Sequence, residues 1–327
     1  MKINMALCFS DKTGKYFINP YITLLSVFKN TNHSIIVHIL HDSTIEYGKK
    51  YLQELCHSYG HEIYFHRINN AFDTVTSRAL TKVFDISTTY RYYVHEFIKS
   101  EKAIYLDCDI IVNRDIGDLY AAPLGDRLFA GVLDIGFWRK GKPVKGDKDH
   151  IEYFKLKLET NINTGVMLMN LDKLREISGN SNIFVQKAMA AIKDGIELDY
   201  PGQLIVTSVA AMVHDGVLML DQRFNLFHKA LNLGLNDLQD TIFHYLSKPD
   251  KEFFPAHLLF WKYYAMSPFA DDMFERISSA YTSEAMEFVQ DYASKPKHRR
   301  HARELLKYGM AGMLLRAVAR MFGIIKK

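Results

Sequence analysis

The sequence predicts an α/β fold: a mainly parallel sheet flanked by helices, followed by a basic helical tail. Two observations carry the sheet. Short apolar, β-branched runs alternate with helix-like segments through the first 110 residues, and such alternation buries a parallel sheet between two helical layers. The apolar run ending at Leu106 is then interrupted by two acids, and ligands in parallel sheets bind beyond the carboxyl ends of the strands. A third observation, the crowding of positive charge at the C-terminal end, carries the tail.

The elements follow in order. Ile3 to Phe9 is a short apolar strand. Asn19-Pro20 reads as an N-cap with proline at the first helical position, opening a helix that runs through Ile22 and Leu25 into Asn30. Ile35 to Leu40 is β-branched and strand-like. Ser43 with Glu46 forms a capping box for a helix that stops at Gly60. Ile63 to Phe65 is a strand, Tyr90 to Lys99 a helix and Ala103 to Leu106 a buried strand. Further on, Leu128 to Leu133 and Val166 to Asn170 read as strands, and Asp172 caps a helix running toward Asp194. Gly136 to Asp149, rich in Gly, Lys and Asp, reads as an exposed loop.

Composition narrows the class. Of the 327 residues, 48% are hydrophobic and 24% charged, which excludes a disordered or collagen-like chain. Cys8, Cys56 and Cys108 are too few and too widely spaced for a disulfide framework or a CxxC metal knuckle, and they suit a reducing compartment. The first apolar stretch is broken by Asn4, Ser10 and Asp11, so no signal peptide is expected. No apolar run is long enough to span a bilayer.

From Lys295 to Lys327 there are ten Lys or Arg against one acid, Glu304, a net +9, which leaves the body at −5 within a chain of +4. A basic tail on an acidic body points to an anionic surface and away from nucleic acid. Lys295, Lys297, Arg299, Arg300 and Arg303 form a cluster, after which Leu314, Val318, Met321, Phe322 and Ile325 recur at helical spacing. That is a basic amphipathic helix suited to a headgroup region. The expected organisation is a body over 1–270 and a helical C-terminal region over 271–327, with 295–327 on the inner face of the cell membrane of a cytoplasmic protein. The alternative is a helix packed on the body.

YLDCDIIV, Tyr105 to Val112, is the most informative stretch. Residues two apart on a strand point to one side, so Asp107 and Asp109 face each other there. Two carboxylates so placed repel unless a cation lies between them, and their oxygens suit Mn²⁺ or Mg²⁺. Such an ion neutralises a leaving diphosphate. The plainer reading has one acid ending the strand and the other starting a turn.

These and further blocks resemble the retaining glycosyltransferases of family 8, which include bacterial lipopolysaccharide galactosyl- and glucosyltransferases. The blocks, in order over roughly residues 1–270, are TYRYYVHEFI (Thr89–Ile98), the D-x-D, NTGVMLMNL (Asn163–Leu171), YPGQ (Tyr200–Gln203), RFN (Arg223–Asn225), HY with KP (His244, Tyr245, Lys248, Pro249) and FWKYYAMSPF (Phe260–Phe269). The resemblance implies a GT-A-like, Rossmann-type nucleotide-binding fold and transfer of a hexose from a UDP-sugar to a saccharide or lipid-linked saccharide, as in surface glycan synthesis.

Residue by residue, the resemblance implies Mn²⁺ held by Asp107, Asp109 and His244. Alone, His244 reads as a hydrogen-bonded strand histidine. It implies a donor-binding set of Asp11, Arg91, Asp107, Cys108, Asp109, Asn163, Thr164, Gln203 and Lys248, with Gln203 and Asp134 at the reacting sugar. Read by themselves, Arg91 and Gln203 are helix-surface residues and Asn163 a turn residue. Lys248 lies four residues after His244 where the family pattern has six, so Lys251 competes for the diphosphate.

Gly202 and Leu204 stand where the family has acids, removing a polar contact to the donor sugar. With no acid beside Gln203 to act as nucleophile, the acceptor is expected to attack from the face that UDP leaves. Ser10 to Thr13 replaces a more acidic run at the uracil site, with Asp11 as the match, and Asp250 replaces a Trp. A haloacid-dehalogenase-like phosphatase, with Asp271-Asp272 as a distal acid pair, and a non-catalytic nucleotide-sugar binder are the competing readings.

Overall fold

The structure, a computed structural model, describes residues 1–42, 44–69, 72, 86–135, 138–139, 142–143, 148–198, 201–227, 239–245 and 255–273. Ser43 of the capping box, Lys248, Lys251 and the basic tail lie outside these residues. The chain divides into two compact units, Met1–Leu246 and Ser247–Lys327.

The first unit is built on a seven-stranded sheet. Strand β1 (Lys2–Phe9), helix α1 (Ile18–Asn30), β2 (Ser34–His41), α2 (Glu46–Ser58) and β3 (Glu62–Arg67) realise the expected alternation. A 3₁₀ helix (Ile86–Tyr93) and a single turn, α3 (Val94–Phe97), lead into β4 (Lys102–Leu106). β5 (Ile110–Asn113), α4 (Gly117–Tyr120), β6 (Phe129–Leu133), β7 (Trp138–Arg139), β8 (Lys142–Pro143), α5 (Lys148–Phe154) and β9 (Ile162–Asn170) follow. α6 (Leu171–Ser178), α7 (Ile183–Lys193), α8 (Pro201–Ala210), β10 (Val217–Met219), β11 (Leu226–Phe227) and β12 (Thr241–His244) complete the unit.

The sheet order is β10-β6-β9-β4-β1-β2-β3. All neighbours are parallel except β9, which runs against both β4 and β6. The central strands are buried on both faces, β1 and β2 almost throughout, as parallel strands covered by helices must be. β3, at the edge, is only half-buried. A small second sheet, β11-β12-β5, pairs β12 parallel to β11 and antiparallel to β5.

Several local expectations are corrected. The apolar segment around the two acids is not one strand. It breaks at Asp107–Asp109, because β4 belongs to the large sheet while β5 pairs with β12 in the small one. The helix expected over Tyr90 to Lys99 is 3₁₀ as far as Tyr93, then a single α turn that ends at Phe97. The helix expected from Asp172 to Asp194 is two, interrupted around Gly179, whose φ of 57° is a conformation glycine adopts cheaply. Its cap is Asn170, which accepts from the Lys173 N–H. α1 starts at Ile18, ahead of the proposed Asn19 cap. The expected 136–149 loop contains the β7–β8 ribbon and the start of α5.

α1 does more than cover the sheet. Thr23, Ser26 and Asn30 form a polar stripe on its buried side. The Thr23 hydroxyl lies 3.0 Å from the Cys108 carbonyl and 2.9 Å from that of Ile110. Ser26 Oγ accepts from the Val112 N–H, and Asn30 donates to the Val112 carbonyl, both at 2.9 Å. The turn carrying both acids is therefore held from beneath.

Two buried histidines set an acid sensitivity. Burial, with His66 3.0 Å away, lowers His38 from the ordinary 6.5 to about 4. Burial, with the charge of Arg175, lowers His95 to about 4. Below 6.5 the unfolded chain takes up protons that these folded sites refuse, so their stability contribution is full above 6.5 and is lost toward about 4. Melting temperature should fall with acidification across that window, and less steeply for His38→Gln. An unchanged slope in that variant contradicts the assignment.

The second unit contains α9 (Pro255–Tyr264) and a 3₁₀ turn at Ala270–Asp272. Phe260, Trp261 and Tyr264 of α9 pack ring against ring. No helix among the described residues is long and apolar enough to cross a membrane.

Candidate active site

β1, β4 and β6 run in the same direction, so the residues after them, Asp11, Asp107 and Asp134, gather at one end of the sheet. Antiparallel β9 enters at that end with Ile162, Asn163 and Thr164.

β9 is irregular there. Against β6, Gly131 pairs with Met167 but Val132 with Asn163, so Thr164 to Val166 bulge out of that ladder. The bulge leaves backbone groups that need partners, and side chains supply them. Arg91 donates to the Thr164 carbonyl at 3.0 Å and its hydroxyl at 2.9 Å. Gln203 Oε1 accepts from the Thr164 N–H at 3.0 Å and lies 3.1 Å from its hydroxyl, while its Nε2 donates to the Ile162 carbonyl. Gln203 thus stands in for a neighbouring strand, delivered by the first turn of α8.

Arg91 is 5% exposed and nearly saturated. Besides Thr164 it donates to the Thr88 carbonyl at 2.9 Å and to Asp107 Oδ1 at 2.8 Å. Burial, the largest single influence, would lower its basicity, but the Asp107 carboxylate together with Tyr105, Cys8 and Tyr92 outweighs that and raises it. The Tyr105 hydroxyl donates to the same Oδ1 at 2.6 Å, and the Tyr105 ring lies under the guanidinium, 4.6 Å from its centre. Burial holds the Tyr105 phenol well above its ordinary range, keeping it a donor. Asp107 Oδ1 is therefore occupied, and Oδ2 is the oxygen that faces His244.

His244, at the end of β12, comes in from the second sheet. Its Nε2 lies 3.3 Å from Asp109 Oδ1 and 3.9 Å from Asp107 Oδ2. Asp107, Asp109 and His244 each offer a ligand atom, all within 4.8 Å of one another, and they form the one such group among the described residues. Burial would lower the imidazole, but Asp109 and then Asp107 outweigh it and raise it. Two hard oxygens and an imidazole nitrogen fit Mn²⁺ or Mg²⁺.

Gly165 makes the approach of His244 possible. A Cβ there would lie 2.2 Å from His244 Cε1, 2.7 Å from its Nδ1 and 2.9 Å from Asp107 Oδ2. Gly165→Ala should cost about 1–3 kcal/mol through overpacking. It should weaken divalent-cation binding at the same time. Denaturant unfolding and a Mn²⁺ titration check both, and an unperturbed variant would refute this packing.

The remaining residues from the sequence reading fall as follows. Asp11 is 3% exposed, with its carboxylate accepting from the N–H groups of Lys15, Tyr16 and Phe17 at 3.0 Å each, so it shapes the turn after β1. The Cys108 thiol donates inward to the Cys8 carbonyl. Asp134 is 7% exposed and its N–H donates to the Asn161 carbonyl. Asn163 Oδ1 accepts from the Gly165 N–H at 3.1 Å. Gly202, expected to cost a sugar contact, gives room to Arg91: a Cβ there would lie 3.2 Å from the guanidinium carbon.

Three participants had gone unassigned in the sequence. Tyr105 sits two residues before Asp107, a spacing that signalled a shared side. Thr23 belongs to the polar stripe of α1. Asn225, in the RFN block, lies between Asn163 and His244.

The model for "Glycosyl transferase family 8" matches residues 7–249. GlyA of Streptococcus pneumoniae, a glycosyltransferase, is 30% identical over 123 residues, which are 37% of this chain and 17% of GlyA. The chain thus spans less than a fifth of that curated relative. LgtC, a galactosyltransferase solved with donor and acceptor sugar analogues, superposes with a TM-score of 0.62 at 20% identity, covering 85% of this chain and 96% of LgtC. WbbM, a bifunctional glycosyltransferase, superposes at 0.67 and 17% identity, covering 84% of this chain and 51% of WbbM. With its matched segment extending from β1 to just beyond β12, the chain belongs to glycosyl transferase family 8.

Proposed function

We propose that this protein transfers a hexose from a UDP-sugar to a saccharide or lipid-linked saccharide, with Mn²⁺ or Mg²⁺ at Asp107, Asp109 and His244. The observation that carries the reading is this triad, placed at the carboxyl ends of β4 and β12 with Asp107 Oδ2 and His244 Nε2 facing one point. When bound, the cation neutralises charge on the departing diphosphate.

The chain's own residues do the rest. Arg91 and Tyr105 fix Asp107 so that one oxygen faces the site. Gln203 and Arg91 brace the β9 bulge that presents Asn163 and Thr164. Asp134, just beyond β6, would lie at the sugar and acceptor as the family resemblance implies, and Lys248 or Lys251 would meet the leaving group as a point charge. Gln203 is flanked in the sequence by Gly202 and Leu204 rather than by acids, in keeping with same-face attack and retention.

The basic segment 295–327 would hold the enzyme at an anionic membrane bearing a lipid-linked acceptor, in surface glycan synthesis such as that of lipopolysaccharide. The test is a screen of nucleotide sugars for UDP release, with and without acceptors, in Mn²⁺ and in EDTA. Release that needs Mn²⁺ and rises with acceptor is expected. UDP binding without turnover across the panel would favour a non-catalytic binder, and full turnover in EDTA would remove the cation.

A further inference from the structure

Asn225 is 0% exposed and ends the 3₁₀ turn Gln222–Phe224, just before β11. Because β11 pairs with β12, its side chain reaches both Asn163 on β9 and His244 on β12. The orientation of its amide is decided by its neighbours. Gly165 N–H donates to Asn163 Oδ1 at 3.1 Å, so that atom is an acceptor. Asn225 Nδ2 lies 2.9 Å from the same oxygen and 3.4 Å from the Asn163 carbonyl. Two acceptors require the NH₂ group there, and a flipped amide would set oxygen against oxygen.

Asn225 Oδ1 therefore faces His244 Nδ1 at 3.1 Å. An amide oxygen can only accept, so Nδ1 must carry a proton. The opposite nitrogen, Nε2, is the one facing Asp109 and Asp107. In the other neutral tautomer, Nε2–H would point at Asp109 and occupy the place of a cation.

We infer that Asn225 is a positioning residue that holds His244 as the Nδ1–H tautomer, leaving the Nε2 lone pair for a divalent cation shared with Asp107 and Asp109. The relay runs from the Gly165 N–H through Asn163 and Asn225 to the ring, all of it buried, and it rests on the cation site proposed above. Partners of this kind fix the orientation of metal-binding histidines, and losing one typically costs 10- to 100-fold in affinity.

The experiment measures Mn²⁺ affinity of the full chain by electron paramagnetic resonance of free Mn²⁺, with thermal melts of each variant. Asn225→Leu should bind about 10- to 100-fold more weakly. Asn225→Asp keeps an acceptor for Nδ1–H but sets a second oxygen against Asn163 Oδ1, so it should lose clearly less affinity than Asn225→Leu without matching wild type. In a His244→Ala background, adding Asn225→Leu should change nothing further. Wild-type affinity in Asn225→Leu, an equal loss in Asn225→Asp, or a further loss in the His244→Ala background would overturn the relay. A long-range ¹H–¹⁵N spectrum of the metal-free protein at alkaline pH should show the His244 proton on Nδ1, and a proton on Nε2 would also overturn it. Wild-type protein that takes up no Mn²⁺ sinks the cation site, while the ¹H–¹⁵N spectrum still decides the tautomer.

Discussion

Asp109→Asn should lower metal-dependent sugar transfer by about 10²-fold or more and leave the fold in place. The change removes a ligand charge at almost constant volume. Asp109 lies in a turn whose backbone is held independently, by Thr23 beneath Cys108 and by the Tyr245 N–H donating to the Asp109 carbonyl at 3.1 Å. Its carboxylate faces His244 at 20% exposure, so an amide there can remain hydrated. UDP release in Mn²⁺ and in EDTA, beside a thermal melt, reads both halves of the expectation. Wild-type turnover by the variant, equal in both media, would refute a metal role for this acid. Asp107→Asn is a less clean test, because Asp107 is also the counter-charge of Arg91 and the acceptor of the Tyr105 hydroxyl. The two acids look equivalent in sequence but differ in structural role.

Arg91→Leu should destabilise the protein by about 3–5 kcal/mol, the usual cost of removing one partner of a buried ion pair. The guanidinium is 6% exposed and Asp107 25%, and the same group satisfies the carbonyls of Thr88 and Thr164. Leucine would take that donor from both carbonyls and leave Asp107 without its counter-charge, held only by the Tyr105 hydroxyl. Arg91→Lys should recover little, since one ammonium cannot span a fork with three separate targets. Denaturant unfolding followed by circular dichroism measures the effect, and a loss below about 1 kcal/mol, typical of an exposed pair, would mean that Arg91 is not the brace described. The family resemblance implied that Arg91 and Gln203 touch the donor. The structure uses most of their hydrogen-bonding capacity to hold β9, so their substitution should lower stability as well as rate.

The sequence by itself determined the alternating strands and helices of the first unit, because periodicity and burial are local: β1 and β2 are mainly apolar runs and needed no partner to be read. It also determined the acid pair, since two carboxylates in such a run have few structural uses. It misread what depends on distant pairing. The segment after Leu106 is as apolar as a strand interior, yet it leaves the sheet at Asp107, because β12, more than 120 residues later, takes β5 into a second sheet. Reversal of β9 and its bulge at Thr164 were invisible for the same reason, as was the Asn163–Asn225–His244 relay. Residues on three strands become neighbours only when both sheets have formed. A site made of hydrogen-bond polarity is decided by which backbone N–H and carbonyl groups the pairing leaves over, and the tertiary structure alone determines that.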